Sequence, residues 1–337
     1  MNRKELIEEL RELSGIPGVS GYEEDIRNWI FERIIKFGEP RIDNIGNLIL
    51  EIGEGKHLVM VAHMDEIGFV ATKIEDDGSL RFRKMGGIDD TLLLGRHVNV
   101  YTKKGIVEGV IGTVPPHLKV SKGVKVTPWH ETKIDVGTFS KRESEDLGIK
   151  VLSPITFKKE FSILNENILA GRGIDDRFGC LALMKVLERV SKDLKVKISF
   201  AFSVQEEIGL RGAKVLASTL KPDFVIAVDS FACCSNLTGD VRLGNGPVLR
   251  ILDNSAFANP RFSEFLKGVS EKRKIPLQIG VTGGGTDASV FQEYGGIMTP
   301  VTIPIKYLHS PVECCHIEDF ENLINLLLGI VEDLEGW

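Results

Sequence analysis

The sequence of 337 residues predicts an α/β protein with a mixed, largely parallel sheet flanked by helices and with a small all-β domain inserted into it. From Ile168 onward, helix-like and strand-like segments alternate, which is typical of a parallel sheet. Between residues 71 and 166 the segments are short, alternate in polarity and are separated by Gly, Pro and Lys-Gly turns, which is typical of an all-β unit. We therefore expect a discontinuous α/β domain, residues 1–70 and 167–337, around an inserted β-barrel-like domain, residues 71–166.

The N-terminal elements follow from local patterns. The segment MNRKELIEELRELSG has the periodicity of an amphipathic helix. Ser20 and Glu23 have the spacing of a capping box, which predicts a second amphipathic helix after them. Two strand-like segments come next, RIDNIGNLILEIG and HLVMVAHMDEIGFVATKI.

The C-terminal half repeats a helix and a strand several times. The predicted helices are DRFGCLALMKVLERVSKDL, GLRGAKVLASTL, ANPRFSEFLKGVSEKRK and EDFENLINLLLGIVEDLEGW. The predicted strands are KVKISFAFSV, DFVIAVDS, PLQIGV and MTPVTIPI. Helices between successive strands supply the long crossovers that parallel pairing requires.

Composition excludes several classes of function. The chain is 42% hydrophobic and 27% charged, as in ordinary globular proteins, and its net charge of −6 argues against binding to nucleic acid or to an anionic membrane surface. No apolar segment approaches the ~18 residues of a membrane span, and the N-terminal segment lacks the apolar core of a secretory signal. The cysteine count is odd and includes two adjacent pairs, which indicates reduced thiols and a cytoplasmic protein. These cysteines are Cys180, Cys233, Cys234, Cys314 and Cys315.

Side chains able to bind metals follow the predicted strands. The candidates at the strand ends are His63 with Asp65, Glu206 with Glu207, Asp229 and His309, and a loop before a helix adds Asp175 and Asp176. The carboxyl ends of parallel strands meet at one rim of a sheet, so these side chains are expected to converge. Two imidazoles with several carboxylates suit Zn²⁺, Co²⁺ or Mn²⁺. The excess of acids favours a dinuclear site with a bridging carboxylate.

Each candidate also has an ordinary structural explanation. Asp175 could be the N-cap of a helix that begins at Arg177, and Glu-Glu pairs are common on solvated helix faces. The combined pattern nevertheless predicts a metal site. Adjacent residues point in different directions, so Glu207 can bind a metal while Glu206 carries protons. In the His-x-Asp pattern, Asp65 can accept the second ring N–H of His63.

Seven stretches in the same order resemble the tetrahedral aminopeptidases, the glutamyl/leucyl aminopeptidase branch of the co-catalytic dinuclear zinc exopeptidases. They are SGIPGVSGYEEDIR, VAHMDEIGFV, GRGIDDRFG, SVQEEIGLRGA, VIAVD, GGGTDA and IPIKYLHSPVE, and they extend from near residue 14 to near residue 313. The sequence departs from the family at Lys306, where Arg is usual, and at the cysteine pairs. None of these departures replaces a candidate ligand.

The resemblance implies a zinc exopeptidase-like fold with two divalent metal ions, Zn²⁺ or Co²⁺, in each subunit. It implies one metal on His63 and Asp229, the other on Glu207 and His309, and Asp175 as the bridge between them. It also implies a cis peptide bond between Asp175 and Asp176, Glu206 as general base and acid, and Asp65 as the partner of His63. The VTGGGTDASVF loop is expected to line the substrate cleft through Gly284, Gly285 and Thr286, with a flexible turn as the alternative. The inserted domain is expected to form dimers, and the dimers a hollow tetrahedral dodecamer.

The expected function is the removal of N-terminal residues from peptides with free N-termini, with Glu206 activating a metal-bridging water. A metal-dependent deacylase or dipeptidase is the closest alternative, and substrates with blocked N-termini would distinguish it. A glycoside hydrolase with paired carboxylates needs no metal. A shell subunit without catalysis would have no need of Glu206.

Overall fold

The computed structural model describes residues 2–115, 117, 126–158, 160–191 and 193–337. Its α-helices are α1 (Arg3–Gly15), α2 (Glu24–Ile34), α3 (Lys141–Asp146), α4 (Ile174–Leu187), α5 (Arg211–Leu220), α6 (Pro260–Arg273), α7 (Ala288–Gln292) and α8 (Ile317–Leu334). Its strands are β1 (Arg41–Ile42), β2 (Leu48–Ile52), β3 (Lys56–His63), β4 (Gly68–Ile74), β5 (Leu80–Met85), β6 (His97–Thr102), β7 (Gly105–Ile111), β8 (Ile134–Asp135), β9 (Pro154–Phe157), β10 (Phe161–Leu164), β11 (Ile168–Gly171), β12 (Val196–Ser203), β13 (Phe224–Ala232), β14 (Val248–Leu252), β15 (Gln278–Val281), β16 (Ile297–Met298), β17 (Val301–Ile305) and β18 (Glu313–His316).

A nine-stranded mixed sheet forms the core, in the order β1-β2-β12-β3-β13-β17-β14-β15, with β16 paired to β13. The central strands β12, β3, β13 and β17 are parallel, whereas β1, β2 and the β14–β17 pair add antiparallel contacts. Nearly every residue of β12 and β13 is buried, which explains their uninterrupted apolar runs. The predicted α/β fold with a mixed, largely parallel sheet flanked by helices is confirmed.

Helices cover both faces of this sheet. Apolar side chains of α1, α2, α4, α6 and α8 pack against one face, and those of α5 and α7 against the other. Helix α4 is buried along its whole length, so the loop before it is held against the sheet. In the described part of the chain, no helix combines the length and the apolar character that crossing a membrane requires.

The register of the parallel strands brings their carboxyl ends to one level. His63 is the last residue of β3 and lies opposite Ser203, the last residue of β12. Asp229 on the neighbouring strand β13 lies opposite Thr302 of β17. The loops that follow these strands therefore start from the same rim of the sheet.

The small β unit is a closed barrel in the order β4-β5-β8-β7-β6-β9. Its core includes Phe69, which contacts Phe82 and Phe157 edge-on at 5.1 Å between ring centroids. The barrel strands extend from Gly68 to Phe157, so the barrel starts three residues before the first residue of the predicted insert, 71–166, and ends nine residues before its last. Strand β10 instead joins β11 and β18 in a separate three-stranded sheet. A role of the barrel in dimer contacts stays a prediction.

The predicted capping box at Ser20 and Glu23 is wrong. Helix α2 begins at Glu24, and Glu23, its N-cap residue, makes no side-chain capping bond. The Ser20 hydroxyl donates to Asp65 Oδ2 at 2.6 Å, and Glu23 Oε1 accepts the backbone N–H of Gln205 at 3.0 Å. Both side chains are buried and bind the loops at the sheet rim instead of the helix terminus.

Candidate metal centre

Helix α4 fixes the backbone of His63. The His63 N–H donates to Asp176 Oδ2 at 3.2 Å, and the Cys180 thiol donates to the His63 carbonyl at 3.2 Å. The ring Nδ1 lies 3.0 Å from the backbone oxygen of Asp65, which can only accept, so Nδ1 carries the proton. The other ring nitrogen, Nε2, faces Asp175 Oδ1 at 3.4 Å and is free to bind a metal.

Asp65 holds the loop that carries the two glutamates. Its carboxylate accepts the backbone N–H groups of Glu206 at 2.9 Å and Glu207 at 3.2 Å, in addition to the Ser20 hydroxyl. The predicted contact with the His63 ring is made by the backbone oxygen of Asp65, whereas its carboxylate is 3.6 Å from Nδ1. Asp65 thus orients His63 with its main chain and both glutamates with its side chain.

His309 is oriented by the barrel. Its Nδ1 lies 3.2 Å from the backbone oxygen of Gly87, in the loop after β5. Its Nε2 lies 3.4 Å from Glu207 Oε2 and 3.6 Å from Asp175 Oδ2. The barrel therefore supplies the hydrogen-bond acceptor that turns Nε2 of His309 towards the other candidate ligands.

The candidate ligands form overlapping groups around Asp175. In each group of three, the ligand atoms lie within 4.8 Å of one another, and the described residues give the groups His63–Asp175–Asp229, Asp175–Glu207–His309 and His63–Glu206–Glu207. The first two groups share Asp175, the residue predicted to bridge. The peptide bond between Asp175 and Asp176 is cis, as the resemblance implies. No cysteine belongs to these groups, and all five cysteines are free thiols.

The electrostatics of the centre favour a cation. Burial and the nearby Asp229 and Glu207 raise the pKa of Glu206 well above its usual range, and burial, with Asp175 beside it, raises the pKa of Glu207 to about 7. Burial opposes a charged ring at His309, but Glu207 and Asp175 outweigh it and raise its pKa to about 10. The buried acids repel one another, and positive charge between them relieves this repulsion.

One of the buried oxygens that have no hydrogen-bond partner among the described residues belongs to a candidate ligand. This atom is Asp175 Oδ1, and Asp175 is the residue that the first two groups share. Buried carboxylate oxygens are normally paired or bound to a metal. Imidazole nitrogens and carboxylate oxygens are also the donor set that Zn²⁺ and Co²⁺ accept, so the residues present fit a dinuclear centre.

The centre opens into a cavity of about 350 Å³. Gly284 and Gly285 line it, whereas Thr286 is fully buried and does not. That the glycines contact substrate stays a prediction. The glycine loop is held by Arg250, which donates to the carbonyls of Gly285 at 2.8 Å and Gly283 at 3.3 Å. Sequence analysis missed Arg250 because nothing in the sequence around it marks a contact with a loop more than thirty residues away.

Replacing Gly86 by Ala tests the contact between the barrel loop and the centre. Gly86 has a φ of +90°, and an added Cβ would lie 2.6 Å from Ile67 Cγ2 and 3.2 Å from Glu207 Oε2. The control is Gly95→Ala in the same barrel, where φ is +79° but no atom lies within 4 Å of the added Cβ. Both variants carry backbone strain, and the steric clash should add about 1–3 kcal/mol of destabilisation in Gly86→Ala. Urea unfolding measures the difference, and equal losses in the two variants would contradict the close contact.

Comparison with known proteins supports a peptidase. The sequence model of the M42 glutamyl aminopeptidases matches residues 46–326. A lysyl aminopeptidase of Pyrococcus furiosus is 37% identical over 333 residues, covering 95% of this chain and 94% of the relative. A glutamyl aminopeptidase of Lactococcus lactis is 31% identical over 346 residues, covering 98% of this chain and 97% of the relative.

A solved structure gives the same result. The TET1 peptidase of Pyrococcus horikoshii, described as able to assemble into a tetrahedron or a large octahedral shell, is 51% identical, with a TM-score of 0.93 over 97% of this chain and 99% of that one. The resemblance inferred from the sequence motifs is thereby confirmed. The chain belongs to the M42 glutamyl aminopeptidase family and is a peptidase.

Proposed function

We propose that the protein is a dinuclear metal-dependent aminopeptidase that removes N-terminal residues from short peptides. The observation that carries the proposal is the position of Asp175, whose carboxylate lies between the Nε2 atoms of His63 and His309 at 3.4 and 3.6 Å. A carboxylate shared by two ligand groups is the arrangement that a pair of metal ions requires.

The ligands divide into two sets. His63 and Asp229 would hold one divalent ion, Glu207 and His309 the other, and Asp175 would bind both. Zn²⁺ and Co²⁺ both suit these donors. When bound, the ions would polarise the scissile carbonyl and lower the pKa of water.

Glu206 is left outside the two ligand sets and borders the same cavity. Its backbone is fixed by Asp65, so its side chain starts from a constrained position. In the proposed reaction, Glu206 accepts a proton from the attacking water and donates it to the nitrogen of the leaving amine. The raised pKa of Glu206, caused first by its burial, suits a group that must hold this proton between the two steps.

The surplus of carboxylates supports a proposed preference for free N-termini. A peptide α-ammonium group entering the cavity is attracted to acids such as Asp229 and Glu206, whereas an acetylated amine carries no charge to attract. The relatives are named for lysyl and glutamyl substrates, which have opposite charges. We infer that the metal centre recognises the N-terminus, while the side-chain preference depends on the surrounding cavity.

We further infer self-association. The proposed assembly is a dimer formed through the inserted barrel domain, and six such dimers in a tetrahedral dodecamer that admits peptides and excludes folded proteins. The tetrahedral or octahedral shell described for the P. horikoshii peptidase supports this inference. We place the protein in the cytoplasm because its odd set of cysteines consists of free thiols.

Hydrolysis of aminoacyl-p-nitroanilides tests the function. Protein stripped with a chelator and reloaded with Zn²⁺ or Co²⁺ is assayed against a panel of side chains, each with a free and an acetylated amine. We expect metal-restored cleavage of the free amines only. Cleavage of the acetylated series would instead indicate a deacylase or an endopeptidase. Light scattering on the same sample should give twelve times the mass of one chain, and a monomer would contradict the assembly.

Glycoside hydrolysis by paired carboxylates is less compatible with the geometry. Asp176 is fully buried, and its oxygens accept the N–H groups of His63 and Gly179. It therefore supports the loop and cannot act as an acid towards a sugar in the cavity. Glycoside hydrolase activity that remains after the metal is removed with a chelator would favour this alternative.

A further inference from the structure

Glu313, at the start of β18, contacts two of the candidate ligands without facing the cavity. Its side chain is 1% exposed. Oε1 accepts the backbone N–H of His309 at 3.0 Å, and Oε2 accepts the backbone N–H of Asp175 at 3.1 Å. A single buried carboxylate thus joins the main chains of two residues that are far apart in the chain.

Both residues have unusual backbone conformations. His309 has a φ of +58°, which is uncommon for a residue other than glycine. Asp175 lies in the first turn of α4 but has φ −75° and ψ 112°, so it interrupts the helical conformation there. The backbone N–H groups of both residues donate to the Glu313 side chain. The Glu313 carboxylate therefore stabilises the backbone conformations of Asp175 and His309 that bring their side chains together.

Glu313 is itself well anchored. It pairs with Gly171 in the antiparallel β11–β18 ladder, and the adjacent Cys314 pairs with Lys306 through two backbone hydrogen bonds of 2.9 and 3.0 Å. The carboxylate therefore extends from a fixed strand that lies between the loop of Asp175 and the loop of His309.

Asp65 makes a similar pair of contacts to two other candidate residues. Asp65 accepts two backbone N–H groups, from Glu206 and Glu207, as Glu313 does from Asp175 and His309. We propose that Glu313 is a positioning residue of the metal centre that sets the relative placement of Asp175 and His309 and thereby the affinity for metal. The proposal rests on the dinuclear site of the proposed function.

Cobalt binding to the metal-free protein tests this role. In Glu313→Gln the amide nitrogen replaces one acceptor with a donor, so one of the two backbone N–H groups loses its partner. We expect the affinity for Co²⁺, measured by competition with a chromophoric chelator, to fall about 10–100-fold. We also expect the visible absorption of bound Co²⁺ to change, because His309 would be displaced relative to Asp175.

Asp319 provides a matched control. It is also fully buried, and its two oxygens accept the backbone N–H groups of Gly244 at 2.7 Å and Gly246 at 2.6 Å, yet it lies in none of the candidate metal groups found among the described residues. Asp319→Asn should lower the unfolding temperature while leaving Co²⁺ affinity and absorption as in the wild type. If Glu313→Gln behaves in the same way, Glu313 is a structural residue and the proposal is overturned.

A second variant, Glu313→Asp, tests the proposal if Glu313→Gln does not fold. Glu313→Asp keeps the charge but is shorter by one methylene, so it cannot reach both N–H groups as Glu313 does, and weaker Co²⁺ binding is again expected. Wild-type affinity in this variant would overturn the proposal. Absence of cobalt binding in the wild-type protein would overturn the proposed function as well, which separates the two failures.

Discussion

Replacing Glu206 by Gln is expected to lower kcat by about 10²–10⁴-fold, the usual contribution of a general acid–base group. The amide has nearly the same shape but cannot accept a proton from the attacking water. Metal binding should be retained because Glu206 is outside the two groups that share Asp175. Single-turnover hydrolysis of a free-amine p-nitroanilide measures the rate, and elemental analysis measures bound metal.

Glu207→Gln is the appropriate comparison for this variant. The two glutamates are adjacent, and Asp65 holds the backbone of both, but only Glu207 lies in a group with Asp175 and His309. Its replacement should reduce bound metal together with activity. A Glu206→Gln enzyme with wild-type kcat would show that another group transfers the proton.

The second large effect is expected for Asp175→Asn. The side-chain amide has one ligating oxygen and no charge, so it cannot bind two cations at once. We expect loss of bound metal on dialysis and loss of several kcal/mol of transition-state stabilisation, which corresponds to at least about 10³-fold in kcat/KM. Mass spectrometric metal analysis and peptidase assays at saturating Co²⁺ measure the two losses.

Asp176→Asn separates this effect from general damage to the loop. Asp176 is the next residue in the chain and is also fully buried, but its oxygens accept backbone N–H groups of His63 and Gly179. Its replacement should lower stability and cost less bound metal than Asp175→Asn, because Asp176 contacts a ligand only through the backbone N–H of His63. Full metal content in Asp175→Asn would contradict the bridging role.

The sequence was sufficient to predict the main sheet and the convergence of the candidate ligands. Long apolar runs identify strands that are buried on both faces, and parallel strands bring their carboxyl ends together. His63 and Asp229 could therefore be predicted to lie near each other from the strand pattern alone. The short strands β10 and β18 lack such runs, and the sheet that they form with β11 was not predicted.

Contacts made by backbone groups could not be predicted. The hydrogen bond from Asp175 to Glu313 joins residues 138 positions apart, and that from His309 to Gly87 joins residues 222 positions apart. A backbone carbonyl or N–H leaves no signature in the residue type. For Ser20 the sequence predicted a contact that the structure does not contain. Its spacing to Glu23 fits a helix cap, but the buried hydroxyl donates to Asp65 instead.

The hydrogen bond between Gly87 and His309 limits how freely the barrel can be exchanged between relatives. A chimera that receives a foreign barrel also receives a foreign loop after β5, and with it the acceptor that sets the tautomer of His309. Grafts that move the backbone of this loop away from His309 should bind metal poorly. In a chimera, the barrel and the nine-stranded sheet are therefore best taken from the same protein.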